Sequence, residues 1–505
     1  MEVSLIMEKP NILLITSDQQ HWNTIGRFNH EIRTPNLDRL CEEGTYYSRA
    51  YTVNPTCTPT RASIITGKYP SQHGAWTLGT KLPENEHTIG EGFAGAGYKT
   101  ALVGKAHFQP LAGTDRYPSL ESYPVLHDLD FWRGYHGPFY GFEHVELARN
   151  HTNEPHVGQH YAIWMEEKGL NNWREYFLPD MGAGKKWVWD IPEEYHYDTW
   201  IAERTNALLE GYARNKESFF VWASFFDPHP QYLAPEPWVS MYSPEGLSLP
   251  AIRPGELANA SPFHKMTQEP EPDITPYTGS GFFLHGVHSH MRDEASMRKD
   301  MAVYYGMISL MDKYIGRILD KLGELGLRDN TIVVFTTDHG HFIGQHGLIA
   351  KGPFPFEDLV RVPFITRCPG QAEAGAVSGA MQSLVDLPQT FLDFCGIGPP
   401  DGVSGVSQKG VWLGGSEPAR RWAVCEHNHE YEKVNFRTYI GERYKLTLYY
   451  DIGHGDLFDL QEDPGETRNL WYDPAYRDLK SDIMFRFLQA EMGREPKFMP
   501  RIAHA

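Results

Sequence analysis

Four short runs of this chain share a pattern that few folds accommodate: each is apolar on both faces of a would-be strand, and each ends in ionisable groups. NILLITSD closes on Asp18, KTALVGKAH on Lys105 and His107, FFVWASFFDPH on Asp227 and His229, and TIVVFTTDHGH on Asp338 and His339. A strand apolar on both faces must be covered on both, which predicts a parallel sheet between two layers of helices. Ligands of such sheets gather beyond the C-terminal strand ends, so the four ends are expected to converge on one site.

The remaining patterns fill in that architecture. In YYGMISLMDKYIGRILDKLGELGL (304–327), Met307, Met311, Tyr314, Ile318, Leu322 and Leu325 keep a helical period and Gly326 stands near its end, so this is a packing helix whose methionines belong to the core. From about residue 420 shorter runs such as WAVCEHN, FRTYIGERYKLTLYY and GDLFDLQEDPGETRNL read as antiparallel strands and turns. The expected fold class is α/β. A large mixed, mainly parallel sheet flanked by helices occupies residues 8–415, and a smaller C-terminal α+β subdomain carrying an antiparallel sheet occupies 420–500. Residues 110–200 and 230–300 are long, irregular and rich in Trp, Tyr, His, Gly and Pro, which marks them as substrate walls or a subunit contact. A homo-oligomer therefore stays open. The aromatic stretches 131–142 and 187–200 either stack on a sugar or aryl group or fill the core.

Composition narrows the partners. A chain of 505 residues with a formal charge of −19 repels nucleic acid and anionic membranes, so an anionic substrate needs a local cationic pocket. The N-terminal segment lacks the pattern of a secretion signal, and no apolar run reaches membrane length. Five scattered cysteines fit a reducing compartment, with free thiols and a cytoplasmic location expected.

Residues 54–63, NPTCTPTRAS, hold the least ordinary of those thiols. Pro59 suits a first helical position with Thr58 as its cap, and the helix is expected to run to Gly67, which leaves Cys57 at the helix mouth where partial positive charge favours anions. Arg61, one turn on, projects from the same side and is placed to hold an oxyanion or a modified side chain at position 57.

Taken together, Cys57-Thr58-Pro59-Thr60-Arg61 with ASIITGKYPSQHG, PNILLITSDQ with TPNLDRL, GYKTALVGKAHF, DPHPQY, VVFTTDHGHFIGQHGLIAKGPFPFE and LFDLQEDPGETRNL resemble the sulfatase family, of alkaline phosphatase-like fold, in family order over nearly the whole chain. The resemblance implies that a maturation enzyme reads the Cys57 signal and oxidises the thiol to formylglycine, whose hydrate is the nucleophile toward a small-molecule sulfate ester. It implies one divalent cation, Ca²⁺ or Mn²⁺, held by Asp18, Gln19, Asp338, His339 and the diol at position 57. Many relatives have Asp in place of Gln19 and Asn in place of His339, and an imidazole suits Mn²⁺ better than Ca²⁺. By the same resemblance Arg61 and Lys105 steady the diol and the metal-bound oxygens, and Lys351 and His229 contact the transferring group. His107 is the base acting on the second hydroxyl, and His229 with Lys351 protonates the leaving alcohol. His341, His346 and His73 read as supporting groups, and Asp227 either orients His229 or shapes its turn.

Two alternatives remain. Phosphonate monoester and phosphodiester hydrolases on the same scaffold share the formylglycine motif and the Asp-Gln and Asp-His pattern, but lack the Lys and His pair that GKAH retains. A non-catalytic anion-binding protein would have no use for the full set of reactive residues.

Overall fold

Alternation along the Asn11–Ser17 strand shows why the sheet needs two covers. Leu13 and Ile15 pack with Val221, Val333 and Phe335 on one face, while Ile12 and Leu14 pack with Phe220, Trp222, Ile332 and Val334 on the other. The first face is covered by helices Pro35–Glu43, Tyr197–Asn215 and Glu294–Glu324, through residues such as Leu40, Ile201 and Ile308. The second is covered by Cys57–Thr66, Ile89–Gly95 and Leu387–Phe394, through Ile65, Phe93 and Phe391. The computed structural model describes residues 9–149, 152–178, 187–273, 275–276, 293–429 and 434–496.

The main sheet has eight strands, in the order Ala376–Ser378, Thr45–Tyr47, Phe364–Arg367, Thr331–Thr337, Asn11–Ser17, Phe219–Ser224, Lys99–Gly104 and His144–Leu147. Only Phe364–Arg367 runs against its neighbours, so the sheet is mixed and mainly parallel, as expected. The four runs that end in ionisable groups are adjacent at its centre, and their C-terminal ends share one edge.

The long packing helix spans Glu294–Glu324 and so begins well before Tyr304. Asp293 caps it by accepting from the Ser296 N–H, and the good helix formers Ala, Met, Arg and Lys carry the helix forward from there. Gly326 follows its end at φ 67°, and Met307 and Met311 are fully buried. The aromatic stretches are core where they are largest: Trp132, Phe142, Trp189, Tyr197 and Trp200 are all buried. Parts of the irregular segments, 150–151, 179–186, 274 and 277–292, lie outside the described residues.

At the C-terminus, Ala423–His429, Val434–Ile440, Tyr444–Tyr449 and Gly455–Asp459 form a four-stranded antiparallel sheet. One face packs Val424, Tyr439, Leu446 and Leu457 against Ile483, Phe487 and Ala490 of helix Arg477–Gly493. The other places Val434, Phe436 and Phe458 against Phe342, Phe354 and Phe356. All five cysteines are buried and free, and no described helix is long and apolar enough to cross a membrane.

Candidate active site

Helix Cys57–Thr66 begins two positions earlier than expected, with Cys57 as its first residue and Thr56 as the extended cap. Pro59 is tolerated because the first N–H groups of a helix have no intrahelical acceptor, so the missing donor costs nothing there. Gly67 ends the helix at φ 68°, as the sequence predicts. All ten residues are buried, which fixes Cys57 and Arg61 from every side.

The Cys57 Sγ lies 2.9 Å from Lys351 Nζ, 3.2 Å from His339 Nε2 and 3.7 Å from Asp18 Oδ1. Burial alone would raise the thiol pKa, but the charges of Lys105 and Lys351 outweigh it and push the group down. Arg61 commits its Nε and Nη1 donors to the Asp338 carboxylate and the strand ends. Its Nε donates to Asp338 Oδ2 at 2.8 Å and its Nη1 to the Lys105 carbonyl and Ser224 Oγ, while Nη2 lies 3.8 Å from Asp18. Lys105 hydrogen-bonds Asp18. Against the effect of burial, these cations and Lys351 hold the Asp18 carboxyl well below the usual range, and Arg61 and Lys105 lower Asp338 against both its burial and the charge of Asp18. Both carboxylates are therefore anions at neutral pH.

The donor set fits a divalent cation. Asp18, Cys57, Asp338 and His339 place one candidate ligand atom each within 4.8 Å of the others, all buried. His339 Nδ1 donates to the Gly340 carbonyl, 2.9 Å away, which leaves the Nε2 lone pair facing Cys57. Gln19 gives its amide nitrogen to His341 Nδ1 at 2.8 Å, and its buried Oε1 has no hydrogen-bond partner. An orphaned, buried carbonyl oxygen on the residue that follows Asp18, and whose backbone N–H donates to Asp338, is what a hard cation would satisfy. Tyr232 holds His341 from the other side, so His341 orients Gln19.

His107 stands past the end of the Lys99–Gly104 strand at φ 57°. Its ring Nδ1 is buried without a hydrogen-bond partner, and burial, followed by the charges of Arg149, Lys105 and Arg61, drives its pKa well below the usual histidine value. The imidazole is therefore neutral. His229 Nε2 lies 3.3 Å from Lys351 Nζ, so those two groups act as a pair. Asp227 does not reach toward His229. Its carboxylate accepts from Tyr197, and burial raises it to about 7. Its backbone carbonyl accepts the Asp18 N–H, so it shapes the turn. His346 sits between Glu256 and Asp358, and His73 bonds Ser63, both as structural groups.

Two residues of this site went unread in the sequence. Glu121 is buried and accepts the N–H groups of His107, Phe108 and Gln109 at 2.8, 2.9 and 2.7 Å, holding the His107 turn. Arg149 follows the edge strand His144–Leu147, with Nη1 3.6 Å from Glu121 Oε1. The signal was present, a strand ending in a charged residue, but HVEL is half polar and does not read as a run apolar on both faces.

Residues 10–397 match the family model described as Sulfatase. The chain belongs to the sulfatase family. It is a sulfuric ester hydrolase of alkaline phosphatase-like fold, and residues 344–492 also match the N-sulphoglucosamine sulphohydrolase C-terminal model. An arylsulfatase of Clostridium perfringens is 31% identical over 96% of this chain and 95% of its own. A multifunctional alkaline phosphatase superfamily protein of Trinickia caryophylli is 28% identical over 94% of each. Among solved structures, the phosphonate monoester hydrolase of Agrobacterium radiobacter superposes with a TM-score of 0.79 at 23% identity, covering 97% of both chains, and so shares the sulfatase fold.

Proposed function

We propose that this sulfatase hydrolyses sulfate monoesters of aryl or carbohydrate alcohols through a formylglycine made from Cys57. The observation that carries the reading is the position of Cys57 Sγ, within 3.7 Å of Lys351, His339 and Asp18 together. As formylglycine, residue 57 would offer a hydrated aldehyde, one hydroxyl attacking sulfur and the other later expelling sulfate from the covalent adduct. Asp18, Gln19, Asp338 and His339 would hold a divalent cation, Ca²⁺ or Mn²⁺, that lowers the charge on the oxygens around the nucleophile.

The chain's own residues divide the remaining work. Lys351 and His229 contact the sulfuryl oxygens and pass a proton to the departing alcohol oxygen, so that a neutral alcohol leaves. Neutral His107 then takes the proton of the remaining hydroxyl. The aldehyde re-forms as the carbon–oxygen bond to sulfate breaks, and water restores the hydrate. Arg61 and Lys105 keep Asp18 and Asp338 ionised and fixed.

The second reading, phosphonate monoester or phosphodiester hydrolysis, is favoured by the Gln19 and His339 pattern and opposed by the Lys105 and His107 pair. Parallel kcat/KM measurements on an aryl sulfate, a sulfated sugar and a phosphonate monoester decide between them. A preference for the phosphonate would overturn sulfate as the main substrate, and peptide mass spectrometry of active protein must show the aldehyde, not the thiol, at residue 57.

A further inference from the structure

Among the described residues around the site, Arg149 is a buried cation that the mechanism above does not use. Arg149 is 6% exposed, and its Nη1 makes no hydrogen bond among the described residues. Glu121, its ion partner, stands at 3.6 Å with its oxygens already accepting three backbone N–H groups. The carboxylate therefore balances the charge of the guanidinium without giving Nη1 a hydrogen bond. A buried guanidinium left in that condition is unfavourable until an oxygen ligand arrives.

The sheet fixes where that ligand would sit. From the strand that delivers Asp18 the order runs through Phe219–Ser224 and Lys99–Gly104 to His144–Leu147. At about 4.8 Å per strand, the Arg149 strand is about 14 Å from the Asp18 strand. Glu121, 3.6 Å from the guanidinium, accepts the His107 N–H at 2.8 Å, so the guanidinium stands beside the turn that follows the strand carrying Lys105 and His107. The transferring group next to Cys57 is already served by Lys351 and His229, which leaves the Arg149 Nη1 donor for a group farther along the substrate.

We propose that Arg149 binds a second anionic group on the alcohol half of the substrate, a carboxylate or a further sulfate, and so selects sulfate esters of anionic alcohols. The inference rests on the sulfate ester reading given above. The planar fork of an arginine matches both oxyanions, which share this geometry.

The test compares matched substrates with the mature enzyme: aryl sulfates with and without a ring carboxylate, and hexosamines bearing one or two sulfates. Wild type is expected to prefer the doubly anionic member of at least one pair, and the carboxylate and sulfate arms tell the two sources apart. Arg149→Met is expected to lower that preference, read as a ratio of kcat/KM values, by roughly tenfold to a hundredfold. Arg149→Lys keeps a charge opposite Glu121 and loses the fork, so its ratio should fall by less. The double variant Arg149→Met, Glu121→Gln removes both charges should the single change unfold the protein. An unchanged ratio in the folded variants, or equal loss on both members of every pair, overturns the proposal while leaving sulfate hydrolysis intact. Wild type inactive on every sulfate ester but active on a phosphonate overturns both.

Discussion

Gln19 and His339 define how this site differs from one built on carboxylates alone. An amide oxygen and an imidazole nitrogen replace charge with fixed direction, and each is aimed by a neighbour, His341 for Gln19 and the Gly340 carbonyl for His339. The negative charge is then concentrated on Asp18 and Asp338. Replacing either by Ala is expected to abolish metal binding, read as metal content of the purified protein alongside activity, because no neighbouring group can supply the lost carboxylate. Wild-type metal content in the Asp18→Ala protein would remove that residue from the ligand set. His107 separates the two chemical steps. His107→Ala is expected to release one equivalent of alcohol from an activated aryl sulfate in a rapid-mix experiment and then stall with the sulfuryl group on residue 57. A protein that keeps its formylglycine and metal but shows neither burst nor adduct would mean that another group is the base.

At the scale of the element, the strand ends decide where these groups point. Gly104 ends its strand at φ 107°, and a Cβ there would lie 1.9 Å from the Ser224 carbonyl oxygen of the adjacent strand. Gly104→Ala must therefore push the two strands apart immediately before Lys105. A loss of stability of about 2–4 kcal/mol in chemical denaturation is expected, together with a fall in kcat. A variant of wild-type stability would show that the strand end can shift freely. The four central strands were legible because burial on both faces leaves a continuous apolar run. The edge strand His144–Leu147 was not, since its buried Glu146 is paired with Arg204 at 2.6 Å and with His144, and a paired charge inside a short strand breaks the pattern. Glu121 was unreadable for another reason: a single acid in an irregular segment carries no period, and its three backbone partners come into reach only when the chain folds back on itself.

At the scale of the whole molecule, the C-terminal sheet holds the segment that carries Lys351. Phe354 and Phe356 pack on Val434, Phe436 and Phe458, and Glu357 receives Lys445 at 3.2 Å beside Glu466, all buried. Lys445→Met is expected to cost about 3–5 kcal/mol, measured by denaturation, because it strands two buried carboxylates. His346 adds a pH-dependent tie in the same region. Burial would lower its pKa, but Asp358 and Glu256 raise it to about 9. A folded pKa above the unfolded value of about 6.5 means that its stabilisation, on the order of 3 kcal/mol, is complete below pH ~6.5 and lost as the pH rises through ~9. Thermal melts of His346→Gln should be flatter than wild type across that window, and parallel curves would remove His346 from the tie.

The sequence by itself determined the class of the fold, the four convergent strands and the groups at their ends, because burial on two faces and helix-start chemistry are written in consecutive residues. Only the tertiary structure decided that Arg61 turns to Asp338, that Asp227 serves its turn rather than His229, and that Glu121 and Arg149 belong to the site at all. Those outcomes depend on which carbonyls, carboxylates and donors meet across strands far apart in the chain, and no local pattern encodes a partner two hundred residues away.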